Sequence, residues 1–324
     1  DTWLRHGNPW EFPHPEMSVE VGFGGTVTPA KNGSDRAEWI PETTVLAVPY
    51  NYMVPGYRSD AVNTLRLWRA QAAENLDLAE FNSGDYQAAV RAQTEAESIS
   101  KILYPEDSTP AGKRLRLQQQ YFFVAASIHD FIHNVLPGDF DLRRLHERVV
   151  FQLNDTHPVI AIPELMRVLL DKNGLPWDEA WEVTRRCFGY TCHTLLPEAL
   201  EVWPVELLED MLPRHMEIIY RINSLFLEDV ADAFPGNDWR VRRMSIILRA
   251  PTVVLQLPAS PPSSALVRTW ISRSLVVNSI CPPVLRSSTL ASLILERLPW
   301  AASTCSEASV EVRTLPTLKP PSSS

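Results

Sequence analysis

The spacing of apolar residues changes its period along the chain. Between about residues 17 and 69 the runs are short, rich in β-branched and aromatic residues, and punctuated by Gly and Pro. "VEVGFGG" (19–25) and "TTVLAVPYNYMV" (43–54) are predicted as strands. "NTLRLWRA" (63–70) sets Leu65 and Leu67 against Arg66, Trp68 and Arg69, the alternation of a half-buried strand. From about residue 85 the period becomes helical. "DYQAAVRAQTEAESISKILY" predicts a helix that opens at Asp85, an N-cap residue, and ends before Pro105. "GKRLRLQQQYFFVAASIHDFIHNVL" (112–136) predicts a long helix stopped by Pro137-Gly138. "RVVFQLN" (148–154) reads as a short buried strand. Helices follow at 158–172, closed by Asn173-Gly174, at 178–188, and across 197–233 up to Pro235-Gly236. Strands, then helices, then a strand feeding a helix make an α/β or mixed architecture.

The junction after the buried strand carries the first candidate chemistry. "NDTHP" (154–158) sits where ligands bind in open α/β sheets, beyond the carboxyl end of a strand. Thr156 is expected to cap the next helix, and Pro158 suits its first turn. Those roles leave Asp155 and His157 without a structural explanation. Two apart in extended chain, they point the same way, toward a shared cleft. His193, in "FGYTCHTLLPEAL" (188–200), is expected in a short loop between two helices. It is either a surface or capping residue or a contact for an anionic or hydroxylated ligand.

Composition narrows the class. The chain has 324 residues, 45% hydrophobic and 21% charged, with a net charge of -9. That is a globular balance, and neither the charge nor any Lys/Arg-rich run suggests a nucleic-acid partner. No apolar run approaches ~18 residues, so no membrane span is expected. Cys187, Cys192, Cys281 and Cys305 form no CxxC pair, so neither a zinc ribbon nor a disulfide framework is indicated. His129 and His133 have a metal-capable spacing, but no third ligand is apparent and a solvated helix face is expected. "GFGG" (22–25) lacks the following helix of a phosphate loop and is read as a hairpin or bulge. Asp155, His157 and His193 also admit a metal-hydrolase reading, provided a metal binds them.

The chain resembles the α-glucan phosphorylases, the glycogen and starch phosphorylase family, nearly continuously from Trp3 to about Ile247. "WLRHGNPWE", "VPGYRSDAVNTLRLWRA", "GKRLRLQQQYFFVAA", "QLNDTHPVIAIPELMRVL" and "YTCHTLLPEALEVWPVELLEDMLPRHMEIIYRIN" carry the resemblance. It implies transfer of a terminal α-1,4-linked glucosyl unit from glucan to inorganic phosphate. It implies a two-domain GT-B fold, of which 1–247 would be part of the N-terminal domain, and a homodimeric, cytoplasmic full-length enzyme. Pyridoxal phosphate is the implied cofactor, held by a lysine of the other domain. His193 matches the histidine that contacts the reacting glucosyl unit, and Asp155 and His157 match the pair beside the sugar. Asp107 falls on the loop that gates the cleft. Ser108 and Cys192 each stand where the family usually has Asn, and Gly189 where it usually has Ala. Arg214, Tyr220 and Asn223 correspond to a remote glucan-anchoring surface.

The departures matter as much. The motif that carries the pyridoxal-binding lysine is absent; "SEASVE" (306–311) shares only three letters with it. All 12 glycines lie at or before Gly236. From Ser245 the composition turns to Ser, Pro, Leu, Val and Arg, with seven cations against three glutamates, a charge of +4 that leaves -13 on the body. Residues 248–324, with ten prolines and no glycine, are expected to be poorly packed, and an out-of-frame or retained-intron translation is the expected origin. The start at Asp1 without Met suggests a fragment. The expected function is therefore that of an α-1,4-glucan phosphorylase in an incomplete, inactive copy. The alternative is a non-catalytic glucan-contacting fragment.

Overall fold

The computed structural model describes residues 8–30, 33–73, 78–193, 200–248 and 252–254. The tail expected at 248–324 lies, beyond residue 254, outside the described residues. The first part is antiparallel: β1 (Glu11–Pro13), β2 (Val19–Phe23), β3 (Thr26–Pro29), β4 (Ala37–Ile40), β5 (Thr43–Pro55) and β6 (Val62–Ala72). β5 is the spine, with β1 and β2 along one edge and β6 along the other, while β3 and β4 form a separate hairpin. Helices α1 (Leu78–Ser83), α2 (Tyr86–Ala89), α3 (Arg91–Lys101) and α4 (Pro110–Asp130) follow. Then come β7 (Phe151–Asn154), α5 (Ala161–Arg167), α6 (Trp177–Cys187), β8 (Phe188–Thr191) and β9 (Val202–Pro204). Helices α7 (Val205–Met211), α8 (Pro213–Ala233) and α9 (Asp238–Met244) and strands β10 (Ile247–Leu248) and β11 (Thr252–Val254) complete the described chain. This is a mixed helix-and-strand architecture, as the patterning implied. No described helix is long and apolar enough to cross a membrane.

Three expectations need correction. The helix expected over 85–104 is broken at Val90, although Asp85 does cap it by accepting from Ala88 N–H at 2.9 Å. The alternation in β6 is real, but the faces are the reverse of a leucine-inward strand. Leu65 and Leu67 are 51% and 45% exposed. Arg66 and Trp68 instead face α4, where Arg66 binds Asp130 at 2.6 Å and the Trp68 indole donates to Ser127 at 3.2 Å. A buried carboxylate supplied by the helix chose the charged face as the inner one. Finally, β7 is shorter than 148–154 and only Leu153 is buried, because its sheet has two strands among the described residues.

Helix α4 is the centre of the core. Leu117, Tyr121, Phe122 and Ala126 are all but inaccessible to solvent and join the sheet to α5 and α8. Tyr121 stacks edge-on against Phe23 of β2 at 5.7 Å and against His215 of α8 at 4.7 Å. The same contact holds a buried charge cluster. Glu164 accepts from Arg167 at 2.7 and 2.8 Å and from His215 Nε2 at 2.6 Å. Burial pushes the Glu164 carboxyl up, but the charge and hydrogen bonds of Arg167 and the bond from His215 outweigh it and hold it at about 2. Burial holds His215 below its ordinary value against the pull of Glu164, so the ring is neutral and donates its Nε2 proton.

Both shifts act in the same direction with pH. A group whose pKa falls on folding stabilises the fold above its unfolded value and loses that contribution as pH drops. The His215 contribution should therefore decline as pH falls below about 6.5, and that of Glu164, worth about 3 kcal/mol, between its ordinary 4.5 and about 2. Thermal unfolding followed against pH should show a flat melting temperature above pH 7 and a two-stage fall in acid. His215→Gln should flatten the upper stage alone.

Candidate active site

Parallel pairing of β7 and β8 builds the site. Their register sets Asn154 beside Thr191, so both strands end at the same place, and Asp155 N–H donates to Thr191 O at 2.8 Å. His193 is therefore not in a loop between two helices. It hangs from the end of β8, which continues directly from α6. Asp155 turns the chain with φ +61°, the left-handed region that Asp tolerates better than most residues. Its Oδ1 accepts from His193 N–H at 2.9 Å, so two positions distant in sequence share one corner. Gly189 sits inside β8, where an added Cβ would lie 2.7 Å from Gln152 Oε1, the end of a side chain that can move. An alanine there is accommodated by a shift of Gln152.

His157 opens a short 3-10 turn, His157–Ile160, that leads into α5. Its Nδ1 lies 3.1 Å from Glu201 Oε1, in ion-pair range but not aligned as a hydrogen bond. Its ring meets Tyr104 edge-on at 5.7 Å. Thr156 is not the side-chain cap expected from sequence. Its backbone is in the right-handed helical region rather than extended, and its buried hydroxyl donates to Glu201 Oε2 at 3.0 Å.

Glu201 is the residue that sequence reasoning missed. It precedes β9 and joins three segments. Arg116 binds Oε1 through Nε at 3.0 Å and Nη2 at 2.9 Å, and Gln120 Nε2 donates to the same oxygen at 2.8 Å. Burial pushes its carboxyl up, but the contacts from His157 and Arg116 outweigh that and lower it, so it is ionised. Nothing in the periodicity around 201 marks it; its partners lie on α4 and at the β7 junction, far away in sequence.

Asp107 lies on the loop between α3 and α4, half exposed, with Oδ2 3.6 Å from Arg116 Nε. The loop packs closely on the first turn of α4, and only glycine fits there. A Cβ on Gly112 would sit 1.8 Å from Glu106 O. Asp155 meets His193 directly, His157 is linked to Asp107 through Glu201 and Arg116, and Asp155 and His157 stand two residues apart on this polar rim; of the four, His157 is the one that borders the cavity beside it. That cavity is about 370 Å3, apolar inside through Leu103, Phe123, Phe151 and Phe188 and polar at Arg116 and His157. The rim offers carboxylates, imidazoles and backbone, the groups that bind a hydroxyl-rich neutral ligand. Its guanidinium is committed to Glu201. Among the described residues no group of three or more His, Cys, Asp or Glu side chains is arranged to hold a metal ion.

The remote trio separates. Arg214 is buried, paired with Asp171 at 2.8 and 2.9 Å and with Glu217 at 2.9 Å. Asn223 is buried and accepts from Ile246 N–H at 2.9 Å. Tyr220 is 41% exposed and donates to Glu209 at 2.9 Å.

The family model for carbohydrate phosphorylase matches residues 1–257, and the chain belongs to that family. It is 51% identical over 255 residues to the muscle form of glycogen phosphorylase from Oryctolagus cuniculus. It is 50% identical over 255 residues to the liver form from Ovis aries and to the muscle form from Homo sapiens. Each comparison covers 76% of this chain and 30% of the relative. The chain therefore spans under a third of the length of these relatives.

Removing the Glu201 carboxylate leaves the partly buried Arg116 with Asp107, 3.6 Å away, as its remaining anionic partner. Glu201→Ala should cost roughly 1.5–3 kcal/mol of stability. Asp155→Gly, which relieves the left-handed strain, should cost far less. Urea unfolding of the two variants measures the difference; equal losses would show that Glu201 does not hold the rim together.

Proposed function

We propose that this chain is the sugar-recognising part of an α-1,4-glucan phosphorylase, within the N-terminal domain of a two-domain GT-B enzyme. The whole enzyme would transfer the terminal glucosyl unit of glycogen or a related glucan to inorganic phosphate, releasing glucose 1-phosphate. The observation that supports this most is the junction itself. Asp155, His157 and His193 meet at the carboxyl ends of two parallel strands in a chain about half identical to glycogen phosphorylases. In this reading His193 contacts a hydroxyl of the reacting glucosyl unit, Asp155 and His157 line the pocket beside it, and Asp107 closes the rim from its loop. Asp155 fixes the His193 backbone, so the imidazole meets the sugar from a set position.

The residues present do not fit pyridoxal phosphate, which the family implies. The group needs a lysine for its imine and donors for its phosphate. Lys101 is exposed beside Glu97, Lys172 lines a different cavity, and neither they nor Lys113 borders the one beside the rim. Lys31 and Lys319 lie outside the described residues. The rim by itself can bind and orient a sugar. Among its described residues the nearest cation, Arg116, is already bound to Glu201.

Two expectations test the proposal. The purified chain should release no glucose 1-phosphate from glycogen and phosphate, with or without added pyridoxal phosphate; release above a protein-free blank would contradict it. Grafted into a complete phosphorylase, this region should lose turnover when His193 is replaced by Ala. A neutral hydrogen bond is worth ~0.5–1.5 kcal/mol, and a preorganised transition-state contact ~3–4 kcal/mol. The corresponding loss is roughly 10- to 1000-fold in kcat, with the melting temperature little changed because His193 is exposed. Normal turnover combined with a collapsed melting temperature would make His193 a structural residue.

A further inference from the structure

Away from the rim, α4 ends in a pair of histidines. His129 lies in its last turn and His133 in the π-helical turn Phe131–Val135 that continues it. Four residues apart, they share one face of the helix. The ring centroids are 4.1 Å apart and the planes are inclined at 42°. Both residues are exposed, and neither imidazole hydrogen-bonds to another described residue.

We propose that His129 and His133 form a two-nitrogen chelate for a divalent late transition-metal ion, with Cu(II) the best fit. The distance sets the geometry. A metal–imidazole bond of about 2.0–2.1 Å puts each ring centroid about 3.2 Å from the ion. Two centroids 4.1 Å apart then subtend about 80° at the metal. That is close to the right angle between neighbouring positions of a tetragonal ion, and well short of the tetrahedral angle zinc prefers. The affinity order of first-row metals at nitrogen sites also favours copper. Water would complete the coordination, which the exposure of both rings permits.

The surroundings suit such a site. The Asp130 carboxylate is occupied by Arg66 at 2.6 Å and Asn134 at 2.9 Å, so it competes for neither ring. The helix beneath is already fixed by the core, with Ile128 and Ile132, each preceding one of the two histidines, buried. Binding therefore orders two side chains and no backbone, which keeps its entropic cost small.

The test is titration of the full chain, cysteines alkylated, with Cu(II) by calorimetry, and the electron paramagnetic resonance spectrum of the one-equivalent complex. One ion with two equatorial nitrogens is expected. His129→Gln or His133→Gln should each weaken binding about tenfold or more, with Zn(II) binding more weakly than Cu(II) throughout. His146→Gln, remote from the pair, should leave binding unchanged. Copper should also raise the melting temperature of the parent chain and not that of the double variant, since a ligand of the native state stabilises it. Unchanged binding in the double variant, or a one-nitrogen spectrum in the parent, overturns the proposal. Should the double variant fail to fold, His133→Gln decides, because its exposed ring carries no packing.

Discussion

The parallel pairing of two short strands is the constraint on which the candidate site depends. In-register ladders between β7 and β8 leave Asp155 and His193 emerging together. Parallel strands need a long crossover between them, here α5 and α6. The crossover packs Ile160, Leu165 and Leu169 into the core on one side, while the strand ends stay open on the other. Stability and access are thus separated along the strand axis: the helices bury apolar area, and the carboxyl ends keep polar groups available. The left-handed turn at Asp155 is sustained by this arrangement, because the Asp155 carboxylate and amide are both tied to the end of β8.

Glu201 converts that corner into a rim. A half-buried carboxylate costs free energy unless its lone pairs are used. Here Arg116, Gln120 and Thr156 use them, and His157 lies against them. The consequence is rigidity between elements that share no covalent proximity: α4, the junction after β7 and the segment before β9. The same economy operates deeper in the fold, where Glu164 ties α5 to α8 through His215 and is held charged by Arg167 of its own helix. In both clusters a carboxylate draws cations and donors from two or more elements, so that breaking one pair strands a charge rather than merely losing a contact.

The sequence by itself determined a good deal. Element types follow from the change of period near residue 85, because a strand repeats every two residues and a helix every 3.6. Boundaries followed where local chemistry sets them: Asp85 caps its helix, and Gly174 and Gly236 turn the chain in the left-handed region after a helix or its π-helical end. Asp155 and His157 were legible as candidates because capping and turn chemistry left them without a purpose.

Only the tertiary structure decided the rest. Local alternation cannot say which face of β6 turns inward; that depended on Asp130, supplied by a helix more than sixty residues away. It cannot predict that Thr156 gives up capping to donate to Glu201, nor that Glu201 matters at all, since the partners of both are remote. It placed His193 between helices because a strand as short as β8 has no period of its own, and its pairing with β7 is what makes it a strand. Periodicity is a property of neighbours along the chain. The site is a property of neighbours across it, made when packing brings unrelated segments within a hydrogen bond of one another.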